Sequence, residues 1–190
     1  MDQKRASYTY DLIPSTFGEI GLVRHADGGR SPICRILLPE AGRPMAGRMR
    51  ELFPDAVPGS GQRDDICSQI SDYLTGDAVD FRLENLDFGS VKRFARRVLL
   101  ADGEIPRGRV MTYGGLAASV GVAGGARAVG NVMAGNPFPL VIPCHRVVRS
   151  GGSLGGFGGG AEMKKGLLRL EGVAFDAQGR VLPEHLYMKC

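Results

Sequence analysis

The chain has 190 residues, 43% of them hydrophobic and 23% charged, a globular composition with room for one sizeable domain or two small ones. No apolar run approaches the ~18 residues of a membrane span, and residues 1–18 lack an apolar core of signal-peptide length, so a protein that is neither membrane-spanning nor secreted is expected. The formal charge of +4 hides a split: residues 1–90 carry 10 Lys and Arg against 14 Asp and Glu, net −4, while residues 91–190 carry 14 against 6, net +8.

An acidic half joined to a basic half reads as two units, the basic one facing a polyanion, unless the charges have merely clustered by chance. Cys34, Cys67, Cys144 and Cys190 stand far apart with no C-x-x-C pair. That spacing writes neither a disulfide framework nor a zinc ribbon, and a reducing cytoplasm, or a nucleus in a eukaryote, is the expected setting.

In chain order, Tyr8–Leu12, Gly18–Arg24 and Ile33–Leu38 are short β-leaning runs, with His25–Arg30 a turn between the second and third. Met45–Phe53 predicts a short helix ending at Pro54. Asp64–Leu74 predicts another, since Ile66, Ile70, Tyr73 and Leu74 fall at i, i+4, i+7 and i+8 and Gly76 follows. Phe81–Phe88 is either a last strand or a linker. Nothing in this half clusters as a chemical site.

From Ser90, a possible N-cap, the apolar stripe Val91, Phe94, Ala95, Val98, Leu99 predicts a helix. Lys92, Arg93, Arg96 and Arg97 cover its other face, which is either simply solvated or meets phosphates. After a turn at Ile105–Arg109, Thr112 caps a predicted helix over Tyr113–Val120 with Leu116, Ala117 and Val120 inward. Gly121–Gly125 breaks it, and Ala126–Ala134 forms a second helix that buries Val129, Val132 and Met133.

Two short helices around a glycine break outline a helix-turn-helix, a weak signal alone. The outward face of the second helix is more informative. Arg127, Asn131 and Ala134 lie there; Gly130 and Gly135 are poor helix formers, and Ala134 adds only a methyl group to that face. One arginine among small residues suits close approach to a minor groove better than base reading in a major groove.

Beyond Gly135 the chain reads Asn136-Pro137-Phe138-Pro139-Leu140-Val141-Ile142-Pro143-Cys144-His145-Arg146-Val147-Val148, so three prolines stiffen the approach to Cys144. Seven of the ten residues from 151 to 160 are glycine, and a helix through Met163, Leu167, Leu168 and Leu170 leads to Glu171-Gly172. A single cysteine is ordinarily an inert buried hydrophobe. In an extended segment adjacent side chains point apart, so contact between Cys144 and His145 would need a turn or a bridging water.

Pro143-Cys144-His145-Arg146-Val147 resembles the active-site motif of the O6-alkylguanine-DNA alkyltransferases. The resemblance continues in order through Arg107-Gly108-Arg109-Val110-Met111-Thr112-Tyr113-Gly114, Ala126-Arg127-Ala128-Val129-Gly130, Gly135-Asn136-Pro137 and Leu167-Leu168-Arg169-Leu170-Glu171-Gly172. It is strong over residues 90–172. It implies an α/β (α+β) protein, with a small ribonuclease H-like α+β domain at 1–88 and a mostly helical winged helix-turn-helix domain at 89–175. Residues 176–190 remain as a tail without a physical account.

The resemblance also implies roles. Cys144 becomes the nucleophile that keeps the alkyl group, His145 its base through a water, and Glu171 the group that orients the imidazole. Asn136 ties the second helix to the cysteine segment, and Tyr113, otherwise a packing residue, protonates or hydrogen-bonds the departing guanine. A base inside a duplex must be rotated out first. Arg127, which on its own would more often be a phosphate contact, fills the vacated stack, while Ala126, Gly130, Asn131, Ala134 and Val147 complete the DNA and substrate contacts. Phe157, Gly158 and Gly159 wall the pocket.

In that wall relatives often have Tyr followed by Ser or Ala, so Phe157-Gly158 leaves the substrate range open. Some relatives hold zinc through two Cys and two His in the first domain; His25, Cys34 and Cys67 stand at undiagnostic spacings, and no metal and no cofactor is expected. The implied partner is double-stranded DNA containing O6-alkylguanine, met by a monomer. Two other activities compete: a lesion-binding alkyltransferase-like protein, which has Trp in place of Cys144, and a Cys–His hydrolase with turnover.

Overall fold

A computed structural model describes residues 8–26, 32–59 and 65–188. The chain divides into two compact units, Met1–Phe88 and Gly89–Cys190. Most of the expected turn at His25–Arg30, the Asp64 start of the second helix and Cys190 lie outside the described residues.

In the first unit β1 (Tyr8–Ile13), β2 (Ile20–His25) and β3 (Ile33–Leu37) form an antiparallel meander. β2 is central and buried, so its Ile20, Leu22 and Val23 are apolar on both faces. α1 (Met45–Leu52) lays Met45 and Met49 on β2 at Gly21, where a Cβ would stand 2.1 Å from Met49 Cε. A side chain at this position would have to displace the ends of Met49 and Met45.

β4 (Ala56–Pro58) then adds parallel to β1, giving the order β3-β2-β1-β4. Sequence patterning misses β4 because it is three residues long, largely exposed and held by main-chain pairing alone. α2 (Asp65–Thr75) buries Ile66, Ile70, Tyr73 and Leu74, the stripe that periodicity picks out. Phe81–Phe88 contains a single 3-10 turn at Leu83–Asn85 and one bridge, Leu86 to Ile33.

In the second unit α3 (Arg93–Gly103) is capped by the Lys92 backbone. Ser90 is not its N-cap: two residues upstream of the cap position, its hydroxyl is too far along the chain to reach the first-turn N–H groups. The four cations of α3 are exposed, while Val98, Leu99 and Asp102 are buried. β5 (Met111–Thr112) leads into α4 (Tyr113–Ser119), whose cap is Thr112, with Oγ1 accepting from Gly115 N at 2.9 Å.

A glycine turn joins α4 to α5 (Ala126–Ala134), completing the helix-turn-helix; Val129 and Met133 are buried, but Val132 is only half-buried. β6 (Val147–Val148) pairs parallel with β5, and α6 (Gly160–Leu170) follows the glycine-rich loop. The stretch after Gly172 packs into this unit. Val173 and Val181 join Val110, Val148 and Leu168 in one apolar cluster, and Tyr187 N donates to Val110 O at 2.7 Å.

Candidate active site

The approach to Cys144 is a closed loop held by Asn136. Its Nδ2 donates to Ile142 O at 3.0 Å and its Oδ1 accepts from Phe138 N at 2.9 Å. Inside the loop Leu140 is buried with a φ of 76°, a left-handed conformation that a non-glycine residue keeps only where its surroundings enforce it. Asn136 directly follows Gly135, the C-cap of α5, so its two hydrogen bonds join the end of that helix to the segment leading to Cys144.

Cys144–Arg146 is a single 3-10 turn rather than an extended run. Three residues per turn place successive side chains about 120° apart instead of on opposite faces. Both Cys144 and His145 are buried. His145 Nε2 lies 2.9 Å from Glu171 Oε1. A carboxylate only accepts, so Nε2 carries the proton and Nδ1 keeps the ring's basic lone pair.

Glu171, the C-cap of α6, is held from a second side by Arg146. Arg146 Nε donates to both carboxylate oxygens (3.1 and 3.0 Å), and Nη2 donates to Oε1 at 2.8 Å. Arg146 Nη1 is anchored on Ile105 O at 2.7 Å, and Gly108 N reaches Glu171 Oε2 at 3.4 Å. Burial by itself would raise the Glu171 pKa, but hydrogen bonds from His145 and Arg146, with the charge of Arg146, outweigh it and hold the carboxyl well below the usual carboxylate range.

Because Arg146 already supplies the counter-charge, His145 need not. Burial pushes its pKa down despite Glu171, leaving a neutral imidazole available as a base. Burial also pushes the Cys144 thiol up to about 12, reinforced by the charge of Asp102 and opposed by the Asn136 side chain and Lys164. The resting sulfur is therefore a protonated thiol, shielded from stray electrophiles until a base is presented with a substrate.

Tyr113 begins α4 and faces the glycine-rich loop. Gly155, at a φ of +73°, passes so close that a Cβ there would stand 3.1 Å from the Tyr113 hydroxyl. Burial raises the Tyr113 pKa, so the phenol stays protonated and able to donate. Phe157 meets the His145 ring edge-on, with centroids 6.3 Å apart at 78°. Gly158 is exposed, and Gly159 caps α6.

Cys144, His145, Glu171, Asn136, Tyr113 and Phe157 thus surround one turn of chain. The α5 residues lie toward solvent: Arg127, Asn131 and Ala134 are exposed, Ala126 and Gly130 half-buried, and open space lies over Gly130. Val147 is fully buried, and its carbonyl accepts from Lys164 Nζ at 2.6 Å. Its side chain is core.

Three charged residues of this region escaped the sequence reading: Arg146, which is partly buried, and Lys164 and Asp102, which are fully buried. Two left a signal. Lys164 falls three and four residues before Leu167 and Leu168, and Asp102 falls three and four after Leu99 and Val98, so each occupies a core-facing helix position. In the first unit His25 pairs with Asp87 at 3.0 Å; among the described residues no group of His, Cys, Asp and Glu gathers as metal ligands. Among them, too, no helix is long and apolar enough to cross a membrane.

A mixed α+β chain with a helix-turn-helix beside a buried Cys–His–Glu arrangement has the form of a DNA-binding protein with a thiol chemistry. The family profile described as 6-O-methylguanine DNA methyltransferase, DNA binding domain, matches residues 93–173. The methylated-DNA–protein-cysteine methyltransferase of Methanothermobacter thermautotrophicus is 47% identical over 113 residues, 60% of this chain and 63% of that protein. Its counterpart in Mycobacterium leprae is 40% identical over 115 residues, 60% of this chain and 68% of that protein.

The crystal structure of Mycobacterium tuberculosis OGT in complex with DNA superposes with a TM-score of 0.70 at 32% identity, covering 86% of this chain and 92% of that one. The O6-methylguanine-DNA methyltransferase of Pyrococcus kodakaraensis gives 0.65 at 27%, covering 87% and 99%. The chain belongs to the methylated-DNA–protein-cysteine methyltransferase family, and its alignments span about two thirds of the curated relatives' length.

Proposed function

We propose that this protein repairs duplex DNA by moving the alkyl group of O6-alkylguanine onto Cys144 in a single irreversible transfer. The observation that carries this is the buried thiol next to a neutral histidine whose far nitrogen is locked on an ionised, arginine-paired carboxylate. Membership of the family and the DNA complex of a relative support duplex DNA as the partner.

The chain acts as a monomer in a reducing compartment, where the acceptor thiol stays free. α5 enters the minor groove with Arg127 leading, and the damaged nucleotide rotates out against Phe157 and the glycine loop. His145 Nδ1 takes the Cys144 proton through a water. The thiolate attacks the alkyl carbon in line, the S–C bond forms and the C–O6 bond breaks.

The departing electron pair goes to guanine, which takes a proton from the Tyr113 hydroxyl; His145 returns its proton to Tyr113. In sum the thiol hydrogen ends on guanine, and Cys144 becomes a thioether. No group present reverses that bond, so each molecule acts once.

Intact-mass measurement after mixing with duplex carrying O6-methylguanine is expected to show one methyl added, on the Cys144 peptide. Repeated turnover would indicate a hydrolase, and binding without mass gain a lesion-recognition protein. Cys144→Ser is expected to bind the duplex normally and gain nothing. Arg127→Ala is expected to reduce extrusion of the base, read by a fluorescent base analogue opposite the lesion, at least tenfold more than it weakens bulk duplex binding. Equal losses would reduce Arg127 to a phosphate contact.

A further inference from the structure

The second unit buries two carboxylates and treats them oppositely. Glu171 has a histidine, an arginine and a backbone N–H. Asp102, in the last turn of α3, is 0% exposed, and neither of its carboxylate oxygens has a hydrogen-bond partner. The nearby cations are engaged elsewhere: Arg146 is forked on Glu171 and Ile105 O, and Lys164 Nζ is on Val147 O and Gly156 O.

Asp102 nevertheless stands among the groups that do the chemistry. The charged or titratable side chains facing it are Cys144 and Arg146 from the 3-10 turn, Lys164 from α6 and Tyr113 from α4. α5, which also packs on α3, carries Arg127, and that side chain is exposed. A carboxyl buried without donors is held as the neutral acid, because nothing replaces the water its charge needs.

We propose that Asp102 is a positioning residue for the charge of the nucleophile: the transfer-ready site holds it neutral, and its ionisation withdraws the Cys144 thiolate. The physical basis is that an anion in this enclosed cluster opposes a second anion on the sulfur. Burial pushes the Asp102 pKa up to about 7, against the charges of Arg146 and Lys164, which puts the change in the neutral range. The inference rests on the alkyl-transfer reading of the same site.

Ordinary thiol chemistry speeds up steadily as pH rises. Here the rise is expected to bend near pH 7 as Asp102 ionises. Asp102→Asn removes the charge at every pH. A one-unit fall in thiol pKa gives about ten times more thiolate, and the accompanying loss of nucleophilicity leaves a net gain of about threefold.

The test uses the full chain and two reactions followed from pH 5.5 to 9. One is single-turnover methyl transfer from the O6-methylguanine duplex; the other is alkylation of Cys144 by iodoacetamide, read on its peptide by mass. For wild type both profiles are expected to bend near pH 7. For Asp102→Asn both are expected to lose the bend, with rates about threefold above wild type at pH 8.5 and equal to it at pH 5.5. Superimposable profiles for wild type and variant overturn the proposal.

Asp102→Leu, which continues the Val98–Leu99 stripe, is the second variant should the Asn variant fail to fold, and the same outcomes apply. A bend in the iodoacetamide profile that is lost in the variant, with no methyl accepted from DNA, supports the role of Asp102 and sinks the transfer reading. Methyl transfer with no bend in either profile does the reverse.

Discussion

Arg146→Met is expected to destabilise the protein by about 3–5 kcal/mol at neutral pH, the usual cost of removing one member of a buried ion pair. Arg146 closes three hydrogen bonds onto a carboxylate whose side chain is fully buried. Methionine keeps much of the volume and removes the charge. Glu171 then loses its arginine while keeping His145 and the long contact to Gly108, and either takes up a proton or draws one onto the imidazole. Both outcomes spoil the base, so methyl transfer is expected to slow together with the loss of stability.

The pH dependence separates this from a packing defect. The folded-state pKa of Glu171 is depressed, so its contribution is present above the unfolded carboxylate range near ~4.3 and is lost as pH falls through the lower folded value. In the variant most of that depression is gone. Its deficit, measured by urea unfolding, is therefore expected to shrink below about pH 4. A deficit of constant size down to pH 2.5 would show that Arg146 serves by packing.

The opposite sign is expected at Asp102. Its pKa is raised, so folding binds the proton more tightly, and wild-type stability falls as pH rises from the unfolded value near ~3.9 to the folded value of about 7. A shift of that size corresponds to about 4 kcal/mol over the window, as an upper figure. Asp102→Leu has no such slope and extends the buried face of Val98 and Leu99. Urea unfolding is expected to find the variant more stable than wild type at pH 8, with the gap narrowing toward pH 4. A gap independent of pH would mean that the carboxyl is solvated in the folded protein.

Much of the chemical site was legible along the chain. Cys144, His145, Asn136, Tyr113 and Glu171 fall in ordered motif blocks, and the structure brings them around one 3-10 turn. Thr112 was legible as a helix cap because a threonine before a helix accepts a first-turn N–H whatever surrounds it. Ser90 failed by the same logic, since α3 starts two residues later than its apolar stripe suggests. β4 was invisible because three exposed residues carry no pattern of their own; it exists only because the edge of β1 offers unpaired main-chain groups.

Helix periodicity, glycine breaks and capping are contests among residues a few positions apart, so the chain alone settled where its helices lie and which cysteine leads the motif. Charge states are different. The protonated thiol, the neutral imidazole, the arginine-paired Glu171 and the unpartnered Asp102 arise because residues 102, 113, 144–146, 164 and 171 share one largely buried cluster. Desolvation and Coulomb energies sum over every neighbour in space. No window of sequence contains that sum, and only the folded packing of α3, α4, α6 and the cysteine turn evaluates it.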